Sequence, residues 1–157
     1  MRLKILCILA TATMIAACTS DVPTTTAGTS STPVVPRTTR IFESPLVADA
    51  GDRVYFAFDS ATLSEDAQAV LRRQVATIAR FPHARIMIEG HADERGTREY
   101  NLALGERRAA AARDFLVQSG APRHRITTTS FGRERPAVVG ATESAWAQNR
   151  RAVTVLQ

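Results

Sequence analysis

Lysine is almost missing from this chain of 157 residues: Lys4 is the only one. Chemistry that needs a lysine amine further along, such as a Schiff base or an amide cross-link from a C-terminal lysine, is thereby excluded. Cysteine is nearly as scarce. Cys7 and Cys18 both fall in the first 18 residues, so the rest of the chain has no disulfide, thiolate metal site or thiol nucleophile. Its fold must rely on a core. The three histidines, His83, His91 and His124, share no ligand spacing, and His91, Asp93 and Glu94 alone do not predict a metal; no cofactor is expected. The apolar run Ile5 to Ala17 is shorter than the ~20 residues of a spanning helix.

What is present at the start has a direction. Arg2 and Lys4 precede that apolar run, which closes on small residues in "IAAC" at Cys18. A positive end, a brief apolar segment and small residues before a cut predict a secretory leader over residues 1–17. A cysteine directly after such a cut resembles the lipobox of bacterial lipoproteins, in which the thiol is diacylated and the new N-terminus is acylated. Cys18 is the expected lipid attachment site. Three acyl chains exceed the roughly two signals needed for stable membrane attachment, so the chain would be anchored rather than spanning. Thr19, in place of Asp, is similar to the pattern exported to an outer membrane.

Residues 18–44 read as a tether. "TSDVPTTTAGTSSTPVVPRTTR" shows no period of 2 or 3.6, and Pro23, Pro33 and Pro36 interrupt any helix. About 20 such residues reach on the order of 25 Å on average. Residues 45–157 then form one domain, long enough for a single core. "RVYFAFDS" alternates Val54, Phe56 and Phe58 against Tyr55 and Ala57, as a strand with both faces partly covered. Ser64 caps a helix carrying Ala67, Val70, Leu71, Val75 and Ile78 before Pro82. "ARIMIEGH" is a second strand, and a second helix runs from about Thr97 to Ser119, closed by Gly120 and Pro122. "RITTTSF" and "RRAVTVL" supply two more strands around a loop over 132–145. The order β-α-β-α-β-β predicts an α/β (α+β) two-layer sandwich, two helices on a mixed four-stranded sheet.

The formal charge of +5 includes the leader. Without Arg2 and Lys4, 18 basic residues face 15 acids, a sum of +3, with basic residues spread along the chain and interleaved with acids. No aromatic-studded basic groove is visible, and nucleic acid is not an expected partner.

The charged stretch "HADERGTREYNLALGERRA" poses the functional question. On a helical wheel Leu104, Ala111, Ala112 and Phe115 form the apolar stripe; Arg108 falls inside it and Asn101 on the same side. A guanidinium there needs a carboxylate or a ligand to satisfy its fork. Asp93, with Gly90 and Gly96 easing the passage from strand to helix, is the nearest partner in the chain. Spacing leaves two alternatives open, a ligand clamp or an internal salt bridge. Glu94, Arg95, Arg98, Glu99 and Arg107 read as a solvated rim or partner surface, and Trp146 as packed. Hydrolysis is disfavoured, since Asp93 beside an arginine would stay ionised and no Ser-His-Asp order is recognisable.

"VYFAFDS", "IEGHADERGTREYNLALGERRAAAARDFL", "SFGRERP" and "NRRAVTVL" together resemble the OmpA-like peptidoglycan-binding domain family over about Arg53 to Gln157. The resemblance implies the same sandwich and a non-enzymatic role. It implies that Asp93 takes the ammonium and Arg108 the carboxylate of meso-diaminopimelate in the stem peptide of peptidoglycan. Backbone groups near Phe58, Asp59 and Ser60 would line the pocket, and Asn101 would steady its wall. Ala92 departs from the threonine usual in the family. Lipoproteins bearing this domain also engage Tol-system partners, TolB above all. The implied protein is a tether on the outer membrane facing the periplasm, serving envelope integrity and division; the alternative is a periplasmic protein-interaction lipoprotein with weak or no wall binding.

Overall fold

The computed structural model describes Leu46 and residues 50–157. The leader, Cys18 and most of the tether lie outside the described residues. From Arg53 to Leu156, among the described residues, four strands and three helices alternate: β1 (Arg53–Tyr55), α1 (Glu65–Ala79), β2 (Ile86–His91), α2 (Arg98–Gln118), β3 (Ile126–Gly132), α3 (Glu143–Asn149) and β4 (Arg151–Leu156), with a 3-10 turn at Arg123–Arg125. The sheet order is β1-β4-β2-β3. β2 and β3 run parallel, as the α2 crossover between them requires, while β4 is antiparallel to both β1 and β2. The mixed sheet packed by helices is the one the sequence predicts.

Local signals explain the helix ends. Ser64 Oγ accepts from the Ala67 N–H at 3.2 Å and Thr97 Oγ1 from the Tyr100 N–H at 3.2 Å, two N-caps with acids in the first turn behind them. At the other end of α2, Gly120 at φ +106° lets its N–H reach Val117 O while Ala121 N–H reaches Leu116 O. That bond pair satisfies two terminal carbonyls and stops the helix. The core lies between α1, α2 and the sheet: Leu46, Val54, Phe56, Leu71, Ile78, Ile86, Ile88, Leu116 and Ala152 are all buried. Each large aliphatic side chain buried there contributes roughly 1.5–3 kcal/mol.

Three expectations need correction. β1 stops at Tyr55; Tyr55 and Ala57 face solvent, and Phe58 is 59% exposed. The alternation outruns the strand because β4 begins at Arg151, opposite Tyr55, and Asp59 turns the chain at φ +52°. The loop expected over 132–145 gives way to a helix: residues 143–149 form α3, capped by Thr142 Oγ1 on the Ala145 N–H at 3.3 Å. Seven residues are too few to show a helical period. The buried stripe of α2 is rotated from the predicted one: Asn101, Leu104, Gly105, Arg108, Ala109, Ala112 and Leu116 face inward, while Ala111 and Phe115 are half-buried.

Gly105 explains the rotation. A Cβ added at Gly90 of β2 would stand 1.8 Å from Gly105 O, and one at Gly105 would stand 2.3 Å from Ser130 Oγ. Helix and sheet therefore touch backbone to backbone at this crossing, and Gly90 serves that approach rather than the turn after β2. The turn itself uses Gly96, at φ +97°.

Candidate functional site

The charged stretch gathers at the C-terminal end of β2. Here the loop after β1, the β2–α2 loop and α2 enclose a cavity of about 160 Å³, lined by Phe58, Asp59, Asp93, Arg95, Tyr100 and Arg108 among others. Pockets for drug-sized ligands run to roughly 300–1,000 Å³, so this one fits a single end group of a larger ligand.

Arg108 is fully buried on the sheet-facing side of α2. Its Nε donates to Ser60 O at 2.8 Å, Nη1 to His91 O at 2.8 Å and Nη2 to Ala57 O at 3.2 Å. Three of five N–H groups thus bind backbone carbonyls from the loop after β1 and the end of β2. Burial lowers its pKa to about 10, opposed by the negative charges of Asp93 and Asp59; at neutral pH it remains a cation. Phe56 lies beneath it, with Cζ 5.3 Å from the ring centroid.

Asp93 is 5% exposed and does not pair directly with Arg108. Its Oδ2 accepts from Arg95 Nη2 at 2.6 Å and from Arg150 Nη1 at 3.4 Å, and its Oδ1 accepts from the Arg95 N–H at 3.2 Å. Burial alone would raise its pKa, but the Arg95 and Arg150 hydrogen bonds more than reverse that and hold the carboxyl below its usual range. An internal Asp93–Arg108 salt bridge is therefore not what the fold builds. A fixed anion and a fixed cation border one cavity, each oriented by other partners.

Arg95 is the residue that sequence reasoning misplaced. Read as a rim charge, it is pinned on Asp93 with its guanidinium 4.0 Å from the Phe58 ring and 4.0 Å from the Trp146 ring. Trp146 is half-buried and donates from Nε1 to Glu94 Oε1 at 3.1 Å. No local signal could reveal a stack whose outer ring lies on α3. Arg150, just before β4, is buried beside the same carboxylate. Its Nε donates to Phe56 O at 3.1 Å and its Nη2 to Glu143 Oε1 at 2.7 Å, tying β4 and α3 to the loop after β1.

The other expected residues are close at hand. Phe58, Asp59 and Asn101 line the cavity, and Asp59 Oδ1 accepts from the Tyr100 hydroxyl. Asn101 Nδ2 donates to Arg95 O at 3.0 Å, steadying the β2–α2 loop. Ser60 contributes its carbonyl to Arg108 rather than a surface to the cavity. His91 packs against Phe131 with ring centroids 5.6 Å apart and its Nε2 3.7 Å from Glu89 Oε2. Asp93 is held ionised and no activated nucleophile faces it, so the site can bind a zwitterion but cannot act as a proton donor.

Residues 55–150 match the OmpA family. The chain belongs to that family. The peptidoglycan-associated lipoprotein of Rhizobium meliloti is 55% identical over 114 residues, covering 73% of this chain and 65% of that protein. The peptidoglycan-associated lipoprotein of Pasteurella multocida is 35% identical over 153 residues, covering 96% and 95% of the two chains. The chain spans just under two thirds of the rhizobial relative's length. Among solved structures, the peptidoglycan-associated lipoprotein of Burkholderia pseudomallei superposes with a TM-score of 0.65 at 43% identity, covering 68% of this chain and 90% of that one. The C-terminal domain of Helicobacter pylori MotB, at 19% identity and TM-score 0.63, shares the fold alone. The relatives' names associate them with peptidoglycan, and this chain shares their family and their fold.

Proposed function

We propose that this protein is an outer-membrane lipoprotein that holds peptidoglycan non-covalently through the meso-diaminopimelate end of a stem peptide. The observation that carries this reading is the pair of buried, oppositely charged groups, Asp93 and Arg108, on the walls of one small cavity. A diaminopimelate side chain ends in an ammonium and a carboxylate on one carbon. Asp93 takes the ammonium, and the two N–H groups of Arg108 not engaged by carbonyls take the carboxylate. Lysine, which lacks that carboxylate, would leave a buried guanidinium edge unanswered.

Arg95 shapes the entry of the ligand. Its Nη2 occupies the side of Asp93 that an incoming ammonium needs, so it must share or yield that carboxylate while its ring stack keeps water from the ion pair. Acyl chains on Cys18 anchor the protein in the outer membrane, the tether supplies reach, and the reversible cavity lets the wall slip. Membership of a Tol-Pal system, with TolB as partner and a role in envelope integrity and division, completes the reading. Co-sedimentation of the domain with purified sacculi tests it. Binding to sacculi carrying diaminopimelate and not to sacculi carrying lysine is the expected result; equal binding to both would refute the clamp.

A further inference from the structure

Charge is not distributed over the fold as it is along the chain. At the end of the sheet opposite the cavity, β2 and β3 begin and β4 ends, with Ile86 opposite both Ile126 and Leu156. Arg85 pairs backbone to backbone with Gln157 there, and Arg125 Nη1 donates to Phe81 O at 2.8 Å and Ala84 O at 3.3 Å, drawing the α1–β2 loop onto the 3-10 turn. Arg123 Nη1 and Arg113 Nη2 lie 4.0 and 2.8 Å from Asp114 Oδ1. Among residues 50–157 this pole thus holds the arginines at 80, 85, 113, 123 and 125, with Asp114 as its one acidic side chain. The remainder of residues 50–157 holds eleven arginines and eleven acids. The interleaving seen along the chain holds for that remainder. The whole side-chain excess of the described residues sits at the pole.

Three further features give the pole a partner. Arg80, His83, Arg85, Arg123 and His124 are all exposed. Phe81 and Pro82 stand within the same loop, with the Arg80 guanidinium 5.9 Å from the Phe81 ring. β1 runs toward the cavity, with Asp52 just before it accepting from the Thr154 N–H at 2.7 Å, so the strand is entered from the pole's side. An aromatic among dispersed arginines suits a headgroup layer, where each charge finds a phosphate independently, better than one shaped protein groove.

We propose that this pole is a docking surface for an anionic phospholipid layer, which turns the cavity away from the membrane. Strand β2, six residues and roughly 20 Å long, separates the two ends. The proposal rests on the preceding functional reading only for the membrane's being within reach; the charge asymmetry stands without it.

The test uses residues 40–157, the unit that contains the whole described core, without the acyl anchor. It is sedimented with vesicles of phosphatidylethanolamine and phosphatidylglycerol, or of phosphatidylcholine alone. The wild type should pellet with the anionic vesicles only, and less as salt rises. At roughly fivefold in partition per arginine, Arg80→Gln, Arg85→Gln and Arg123→Gln combined should weaken binding on the order of a hundredfold. Removing equal charge elsewhere, by Arg73→Gln, Arg98→Gln and Arg107→Gln, should weaken it far less. No pelleting at low salt, or equal loss in both triple variants, would overturn the proposal. No wall fragment is present, so failure here leaves the cavity reading untouched.

Discussion

Replacing Arg108 should unfold the domain more readily, even without ligand. Its guanidinium is the shared partner of the Ala57, Ser60 and His91 carbonyls, which belong to the loop after β1 and to the end of β2. Deleting the side chain leaves three buried acceptors short of a donor, at about 1–3 kcal/mol each when nothing replaces it, offset by relief from burying a charge. A net loss of about 4 kcal/mol is expected for Arg108→Ala, a fall in Tm of roughly 15–25 °C for a domain of this size. Arg108→Met, which refills most of the volume without donors, should lose about 3 kcal/mol. Urea unfolding followed by circular dichroism reads both. A Met variant as stable as wild type, or more so, would mean the carbonyl bonds contribute nothing net and that the residue is buried for ligand alone. The account of how the loops are held would then be wrong.

Other perturbations probe separate parts of the account. His91 is buried against Phe131, and burial with the nearby charges of Arg151 and Arg135 lowers its pKa to about 4 from 6.5. Because the unfolded chain protonates first, stability should be full above pH 6.5 and decline by up to about 3 kcal/mol as pH falls toward 4. His91→Leu should remove that slope, and an unchanged slope would contradict the assignment. Asp93 shows the carboxylate form of the same linkage: its depressed pKa adds stability above its unfolded value near 3.9, lost as pH drops through the lower folded value. Arg95→Met should move the Asp93 pKa upward, measured by carboxyl NMR shifts, whereas no movement would mean Arg150 alone sets it. Gly90→Ala drives a methyl to 1.8 Å from Gly105 O, so it should cost about 3 kcal/mol or more and separate α2 from the sheet. A variant melting like wild type would show that the crossing relaxes freely.

Much of the fold was legible because its signals are local. Ser64 and Thr97 stand where caps are needed, Gly120 where a left-handed residue ends α2, and Ile86 and Ile88 alternate within β2. The errors share a cause in long-range pairing. Phe58 continues the alternation of β1, yet no partner strand reaches it, so it turns outward onto Arg95. The wheel places Arg108 and Asn101 on the inward face of α2, as observed, but not Gly105, whose burial depends on the close approach of β2. Asp93 and Arg108 were legible as a pair bordering one site; that they are oriented by Arg95, Arg150 and three carbonyls was not, since those partners come from distant segments. The basic pole, too, exists only once strand ends and loops meet.

The central claim is that Asp93 and Arg108 together grip a zwitterionic end group. Calorimetric titration of residues 40–157 with a soluble stem peptide ending in meso-diaminopimelate tests it most directly, with the lysine peptide as control and Asp93→Asn and Arg108→Lys alongside, each verified as folded by its thermal transition. The account predicts saturable heat with the diaminopimelate peptide alone, lost in the Asn variant and weakened at least tenfold in the Lys variant, where a point charge replaces a fork. A folded wild type that gives no heat, or variants that bind as tightly as it does, would contradict the account.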